Sequence, residues 1–212
     1  MKQFAAIALL AAAVIATAPC AHAGDIVEDW AKAKAPPPPE LKPVTVDPKT
    51  TALLILDMVA VNCNARPRCV ASVAPLRKLH DTARAAGAMV FYTIVGPGNP
   101  TAAAIVDKAM MPRDDEWIVQ RGPDKFLGSN LEARLKQRGI KTVIVTGTSA
   151  QGAVVGTGSG SAQRGYQVII PVDTMSAEEE YNEQYAAYHL YKGGPTIVTE
   201  RVTLTRSGMI KF

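Results

Sequence analysis

From residue 51 onward, short apolar runs alternate with longer segments that have helical spacing. The run Thr51–Leu56 is almost wholly apolar and is followed by Asp57. Such a run is typical of a strand that is buried on both faces of a parallel sheet. Residues 70–86 place apolar side chains on one helical face, and Gly87 is a typical helix end. The pattern therefore predicts a first strand at 51–56 and a first helix at 70–86.

The same alternation continues along the chain. Further strands are predicted at 88–94, 117–119, 142–146, 166–171 and 196–199, and further helices at 131–138, 152–164 and 177–190. This order predicts an α/β fold, a three-layer α/β/α sandwich around a mostly parallel sheet with Rossmann-type order. Such sheets bind ligands at the carboxyl ends of their strands, near the switch point in strand order. Asp57, Gln120 and the segment that starts at Gly147 follow predicted strands, so we expect the site there.

The N-terminal residues resemble a cleavable export signal. A short positive region at 1–3 precedes the apolar run 4–18, and Ala21-His22-Ala23 provides the small residues that signal peptidase requires. The run is too short to span a bilayer as a helix. We therefore expect a signal peptide at 1–23, export to the periplasm or outside the cell, and no stable membrane association after cleavage. An uncleaved anchor or a buried helix is the alternative.

The mature chain is predicted to have two parts. Residues 24–48 contain the tract Pro36-Pro37-Pro38-Pro39, which favours an extended polyproline conformation, so they are predicted to form an arm that lies on or outside the domain. Residues 49–212 form the folded domain.

Composition narrows the class of protein further. The chain has 212 residues, of which 48% are hydrophobic and 20% charged, so it fits one globular domain and excludes fibrous or wholly disordered chains. Lys and Arg number 23 against 19 Asp and Glu, giving a net charge of +4. Because the basic residues are scattered, no nucleic-acid partner is expected.

Export changes how the three cysteines are interpreted. Cys20 would leave with the signal peptide, which leaves Cys63 and Cys69 in a polar, turn-rich loop that contains Pro67. In an oxidising compartment such a pair predicts a disulfide. Two unrelated free thiols, or a reactive thiol at Cys63, are the alternatives.

An ordered set of motifs resembles a known family. The motifs are Leu54-Ile55-Leu56-Asp57-Met58, the string 126–131, the string 139–147, Thr157, and Gly165-Tyr166-Gln167-Val168. Together they resemble the isochorismatase-like superfamily of cysteine hydrolases, which includes nicotinamidases, carbamoyl-amide hydrolases and isochorismatases. The resemblance covers roughly residues 48–205. It implies the α/β/α fold predicted above, a hydrolase domain at 49–212, and a homo-oligomer with the arm and residues 181–191 as candidate contacts.

The family's catalytic triad of Asp, Lys and Cys is only partly matched. Asp57 matches the aspartate, but the position of the lysine falls on Gln120 and that of the cysteine on Ala153. The resemblance thus implies that the lysine and the thiol nucleophile are absent, through natural divergence or through an engineered change at Ala153, and Gln120 favours divergence. Lys125 could reach back into the cleft, although a solvated surface position is the preferred interpretation.

The resemblance also implies roles for the segment after the fourth strand. The backbone N–H groups of Ser149 and Ala153 would form an oxyanion hole, and a non-proline cis peptide would fall at Ser149–Ala150, which makes Ala150 a candidate substrate contact. Gln120 or Lys125 would orient the substrate.

No metal or other cofactor is expected. Relatives that bind a metal use Asp and His residues shortly after the second strand, and residues 95–100 contain none. The mature chain has two histidines, each in a predicted helix. His80 is predicted to lie at the surface, and His189 in the core or an interface rather than in the cleft.

Two functions remain open at this point. The first is an exported hydrolase that acts on a small molecule without a cysteine nucleophile, with Asp57 as the general acid or base. Since water attack on a stable amide is hard without a nucleophile or metal, an activated ester, an enol ether or a labile ring is the preferred substrate. The alternative is a catalytically inactive protein that binds a small ligand or a protein partner through the same cleft.

Overall fold

The computed structural model describes residues 24–118 and 122–212. The predicted signal peptide and Gln120 lie outside these residues. The chain divides into two compact units, residues 1–36 and Pro37–Phe212. Within the described part of the first unit, Trp30–Lys32 forms a short 3-10 turn. The second unit holds the sheet, its helices and the candidate site.

Nine strands lie in the described residues, and all of their ladders are parallel. In chain order they are β1 (Val44–Thr45), β2 (Thr51–Leu56), β3 (Met89–Thr93), β4 (Trp117–Ile118), β5 (Thr142–Thr148), β6 (Gln167–Pro171), β7 (Met175–Ser176), β8 (Val202–Thr205) and β9 (Ile210–Lys211). The main sheet has the order β4–β3–β2–β5–β6–β8, with β7 paired to the end of β5. A separate ladder joins β1 to β9.

Strand β2 shows why the fold has three layers. All six of its residues are buried. Leu54 and Leu56 belong to one hydrophobic cluster, and Leu53 and Ile55 to a second cluster. Because successive side chains of a strand point to opposite faces, the two clusters lie on the two sides of the sheet. The apolar run therefore fills both cores, which confirms the predicted α/β/α sandwich.

Helices cover the two faces unequally. They are α1 (Ala60–Cys63), α2 (Pro67–Ala85), α3 (Leu131–Gln137), α4 (Val155–Gln163), α5 (Glu180–Tyr188) and α6 (Thr196–Thr199). The buried residues of α2 join the cluster that contains Leu53, whereas those of α3 to α6 join the cluster that contains Leu54. Two predicted helices include π-helical turns, Ala150–Val154 before α4 and His189–Gly193 after α5. None of the helices in the described residues has the length and apolarity needed to cross a membrane.

The last predicted strand is wrong. Residues Thr196–Thr199 form the short helix α6, which starts after Pro195 and buries Val198 while Ile197 is half exposed. Its first turn is closed by the carbonyl of Pro195, which accepts hydrogen bonds from the N–H groups of Val198 and Thr199 at 2.8 and 3.1 Å. The strand is instead β8, which pairs with β6. Tertiary packing overrides the β propensity of the Thr-Ile-Val-Thr run.

The prediction that His80 lies at the surface is also wrong, because the side chain is buried in α2. Its Nδ1 lies 2.8 Å from a carboxylate oxygen of Asp81, and Arg84 Nε donates to its Nε2 at 2.6 Å. Arg84 in turn pairs with Glu116 at 2.5 Å. Burial lowers the pKa of His80, and the Asp81 carboxylate opposes that shift. The histidine thus joins α2 to the loop before β4.

Candidate functional site

The candidate site lies at the switch point of the strand order. Beyond β2 the sheet continues through β3 in one direction and through β5 in the other. Leu56, the last residue of β2, is paired with Gly147 near the end of β5. The carboxyl ends of these two strands therefore place Asp57 beside Thr148 and Ser149, where α/β folds bind their ligands.

Gly147 makes this close approach possible. Its φ is +112°, a value that side-chain-bearing residues rarely adopt, and a Cβ atom at this position would lie 2.1 Å from the carbonyl oxygen of Leu56. Only glycine fits here without moving one of the two strands. The residue therefore sets the spacing between Asp57 and the segment that follows β5.

Asp57 is held by its backbone as well as by its side chain. Its φ of 53° lies in the left-handed region, which is uncommon for residues other than glycine. Its N–H donates to the carbonyl and the hydroxyl oxygens of Thr93, and its carbonyl accepts from Asn62 Nδ2 at 3.1 Å. The Thr93 hydroxyl donates to Asp57 Oδ1 at 2.6 Å. The carboxylate thus has a fixed direction.

Lys125 supplies the positive charge at this carboxylate. Its Nζ donates to Asp57 Oδ2 at 2.7 Å, and the residue is only 1% exposed. The preferred interpretation of Lys125 as a solvated surface residue is therefore wrong. The structure instead places a lysine against the aspartate, from a position five residues after Gln120 in the sequence.

The loop that carries Lys125 is fixed to α4. The N–H of Lys125 donates to the hydroxyl of Thr157 at 3.3 Å, and that hydroxyl donates to the carbonyl of Pro123 at 3.1 Å. Ser129 Oγ donates to the carbonyl of Lys125 at 2.6 Å. A Cβ atom on Gly156 would lie 2.7 Å from the Pro123 backbone, so the helix and the loop are in close contact. These contacts direct the lysine side chain inward.

Burial and the ion pair act on the Asp57 carboxyl in opposite directions. Desolvation raises the pKa of Asp57 above its ordinary value of 3.8, while the Lys125 ammonium and the Thr93 hydroxyl hold it down. Desolvation is the larger effect, so the pKa is raised overall. A carboxyl with a raised pKa inside a cleft is a candidate general acid or base.

A polar cleft of about 380 Å³ opens above this pair. It is lined by Asp57, Val61, Asn62, Arg66, Thr148, Ser149 and Glu178. Ser149 therefore shares the cleft with Asp57, as predicted. Ala150 is fully buried and Ala153 is 6% exposed, and neither is among the lining residues.

The turn after β5 has an unusual backbone, with a π-helical turn and a cis peptide bond. Ser149 precedes the π-helical turn, and its carbonyl accepts from the N–H groups of Gly152 and Val154, both at 3.2 Å. The cis peptide lies at Thr148–Ser149, so its prediction at Ser149–Ala150 is wrong by one residue. Counting residues from a family motif locates a cis peptide bond only to within one residue.

Two cysteines flank the loop that carries Arg66 and form a disulfide. Cys63 and Cys69 are bonded to each other and fully buried, so the predicted disulfide is present. The alternatives of free thiols or of a reactive Cys63 do not fit this pairing. Since residue 153 is alanine and these are the cysteines at 24–118 and 122–212, the described site has no thiol nucleophile.

No metal centre is formed by the described residues, in which no three His, Cys, Asp or Glu side chains are grouped to hold an ion. His189 lies outside the cleft lining, in the π-helical turn after α5, with its ring centroid 5.7 Å from that of Tyr185.

Several residues of the site were not predicted from the sequence. Thr93 ends β3, so its place beside Asp57 follows from the same strand-end rule once β3 is set next to β2. Asn62 follows Asp57 by five residues and donates to the carbonyls of both Asp57 and Val95. Nothing in the local sequence distinguished Arg66 or Glu178.

The fold is an α/β/α sandwich with a polar cleft at the carboxyl ends of its central strands, and comparisons with known proteins name the family. Residues 51–201 match the model of the isochorismatase domain, so the chain belongs to the isochorismatase family. The fold and family inferred from the motifs are therefore confirmed, and the superfamily is one of hydrolases.

Individual relatives agree with this assignment. The chain is 29% identical over 125 residues to an N-carbamoylsarcosine amidase from an Arthrobacter species, and this match spans 47% of each protein. It is 25% identical over 166 residues to the uncharacterized isochorismatase family protein YecD of Escherichia coli O157:H7, covering 68% of this chain and 88% of YecD. A cysteine hydrolase structure from Pseudomonas syringae shares the fold, with a TM-score of 0.66 and 22% identity over 80% of this chain and 94% of the other.

Proposed function

We propose that this chain is an exported hydrolase that acts on a small molecule without a thiol nucleophile, with Asp57 as its general acid or base. The observation that carries the proposal is the buried pair of Asp57 and Lys125 beside the cleft, at 2.7 Å, in a chain that has alanine at position 153. The described site therefore has a candidate acid-base pair but no nucleophilic cysteine.

The reaction follows from the positions of these groups. The Asp57 carboxylate takes a proton from a water molecule as the water oxygen bonds to the carbonyl carbon of the substrate. The protonated carboxyl then gives that proton to the leaving group as the bond between the carbonyl carbon and the leaving group breaks. Lys125 keeps the carboxylate ionised and oriented through its 2.7 Å hydrogen bond. The resemblance to the family assigns stabilisation of the developing oxyanion to the backbone N–H groups of Ser149, which lines the cleft, and of Ala153, which is 6% exposed and outside the lining.

The absence of a nucleophile limits the substrate. Direct water attack on an unactivated amide has a high barrier, which family members with a thiol lower by forming a covalent intermediate. An activated ester or a labile ring has a better leaving group. For an enol ether, the protonated form of Asp57 would deliver a proton to carbon. Burial raises the pKa of Asp57 above its ordinary value, which favours the protonated form that the enol ether reaction requires.

The test is hydrolysis of a panel of amides, activated esters and enol ethers by the mature protein, by Asp57→Asn and by Asp114→Asn. Asp114 is exposed and serves as the matched control. We expect turnover of an ester or enol ether that is lost in Asp57→Asn and kept in Asp114→Asn. Equal turnover in Asp57→Asn would refute the assignment of Asp57.

A second candidate is a catalytically inactive protein that binds a small ligand or a protein partner in the cleft. The alanine at position 153 favours it, because the same substitution would silence a thiol enzyme. Absence of turnover in a folded wild-type protein, together with saturable binding of a small molecule, would establish this function instead.

Export and self-association complete the proposal. Cleavage before Gly24 predicts a mature N-terminus at that residue, which mass spectrometry of the exported protein would detect. Tyr181, Tyr185, Tyr188 and Tyr191 are exposed along α5 and the π-helical turn, which supports the segment 181–191 as a homo-oligomer contact. Light scattering would measure the oligomeric state. No nucleic acid or membrane partner is proposed.

A further inference from the structure

Two arginines in the disulfide-bounded loop have different surroundings. Arg68 forms ion pairs with Glu180 and Glu183, so its charge is used within the fold. Arg66 is partly exposed, lines the cleft, and forms no ion pair within the described residues. One of the two guanidinium groups is therefore structural, and the other is available to a ligand.

The backbone of Arg66 is fixed relative to Asp57. Its N–H donates to the carbonyl of Cys63 at 2.8 Å, and the disulfide to Cys69 closes the loop around it. Pro67 follows it as the first residue of α2. On the other side of the loop, Asn62 donates to the carbonyl of Asp57 at 3.1 Å. The position from which the guanidinium extends is thus set with respect to the reacting group.

Among the charged residues that line the cleft, Arg66 is the cation that a substrate anion could bind. The Asp57 charge is already paired with Lys125, whereas Arg66 lines the cleft and has no ion pair with any residue of 24–118 or 122–212. Glu178 also lines the cleft, but it is not within ion-pair distance of Arg66. A guanidinium presents a planar fork of N–H donors that matches the two oxygens of a carboxylate.

We propose that Arg66 binds a carboxylate of the substrate and so determines its specificity for carboxylate-bearing small molecules. The kinetic test of this inference rests on the proposed hydrolase function. A binding measurement tests the inference without it. Arg66 touches the substrate away from the bond that breaks, and it holds the reacting carbon near Asp57. Its removal should therefore raise KM for a carboxylate-bearing substrate.

The kinetic test uses two esters that differ only in charge, p-nitrophenyl hydrogen adipate and p-nitrophenyl methyl adipate. In the wild-type protein we expect kcat/KM to be about tenfold or more higher for the carboxylate ester, through a lower KM. Arg66→Met should abolish this preference by raising KM for the carboxylate ester. Arg66→Lys should keep part of it, because lysine retains the charge without the planar fork.

Arg138→Met is the matched control. Arg138 is an exposed arginine between α3 and β5. It therefore lies toward the amino ends of the strands, whereas the cleft lies at their carboxyl ends. It should keep the full preference for the carboxylate ester. A preference that survives in Arg66→Met, or that is absent from the wild-type protein, would overturn the proposal.

A binding measurement separates this inference from the proposed hydrolase. If neither ester is turned over, calorimetry compares adipate with its uncharged analogue adipamide. Binding of adipate about tenfold or more tighter, lost in Arg66→Met, would support the carboxylate site in a protein that is not a hydrolase. Equal affinities for the two compounds, or the same affinities in Arg66→Met, would overturn it.

Discussion

Lys125 donates a 2.7 Å hydrogen bond to Asp57, although the two residues are 68 positions apart in the sequence. The pair joins the loop before α3 to the end of β2. Burial of an ion pair has a desolvation cost, and removal of one partner leaves a single buried charge whose cost is larger. A buried pair can therefore be retained because one of its charges has a function. At the switch point of a parallel sheet, a use in catalysis or binding is the physical reason that fits best.

Replacement of Lys125 by methionine should destabilise the protein by about 3 kcal/mol at neutral pH, because it leaves the Asp57 carboxylate buried without its partner. The folded-state pKa of Asp57 is raised above 3.8, so this group favours folding most below that pH and loses its contribution as pH rises through the folded pKa. Without Lys125 the pKa of Asp57 should rise further, and the stability difference from wild type should therefore shrink in acid.

Urea denaturation of both proteins at several pH values would measure this difference. Lys136→Met is the control, since Lys136 is an exposed lysine paired with Glu132 on α3. It should change the free energy of unfolding little at any of these pH values. A loss of stability in Lys125→Met that stays constant with pH would contradict the coupling to Asp57.

Gly147→Ala should be among the most damaging single substitutions in the sheet. The added Cβ atom would meet the Leu56 carbonyl oxygen at 2.1 Å and would also occupy a φ of +112°. We expect a loss of about 4 kcal/mol or failure to fold. Gly139→Ala tests the φ effect alone, because Gly139 has a φ of +66° and no atom within 4 Å of the new Cβ.

That control should cost about 1 kcal/mol. Thermal denaturation of the two variants measures the difference directly. Equal losses in both would show that backbone conformation, and not the approach of β5 to β2, makes glycine necessary at position 147.

The disulfide should stabilise the fold, and it should also maintain the preference for the carboxylate ester that Arg66 confers. Its six-residue separation is short, so loop-closure entropy predicts a loss of about 2 kcal/mol when Cys63 and Cys69 are both replaced by serine. The double variant should also show a weaker preference for the carboxylate ester, since its loop is no longer closed. Denaturation in urea and the two-ester assay would measure these effects. An unchanged preference would show that Pro67 and the α2 helix hold Arg66 without the disulfide.

Ala153→Cys tests whether residue 153 occupies the position of the family's nucleophile. The new thiol should be alkylated by iodoacetamide faster than the thiol of Ala162→Cys, because Ala162 is fully buried in α4 and Ala153 is 6% exposed. It should also extend hydrolysis from activated esters toward amides through a thioester intermediate. Mass spectrometry would detect the alkylated proteins. Similar alkylation rates for the two cysteines would contradict this placement.

The hydrophobic pattern was enough to predict the architecture. The continuous run 51–56 indicates burial on both faces, and in the structure its alternate residues fill two separate cores. It failed at 196–199, where Pro195 begins a helical turn that the β-branched residues alone would not suggest. A four-residue segment has too little periodicity to decide between strand and helix.

The candidate site could be predicted only in part. Asp57 and Ser149 follow the two central strands, and strand ends are visible in a sequence. Lys125 was misjudged, because its place depends on a loop that Thr157 and Ser129 hold by hydrogen bonds. Arg66 reaches the cleft from the loop before α2 and Glu178 from the segment before α5, and no local sequence pattern marks either residue as part of the cleft.

The dependence of activity on Asp57 is the central claim, and the pH profile of kcat/KM tests it most directly. The profile should be measured for wild-type protein and Asp57→Asn with the best ester of the panel. In the wild type, kcat/KM should rise with pH as Asp57 ionises, with a midpoint above 3.8, because burial raises the pKa of Asp57. Asp57→Asn should lose this dependence and about 100-fold or more in rate. A variant that keeps both the rate and the profile of the wild type would contradict the account.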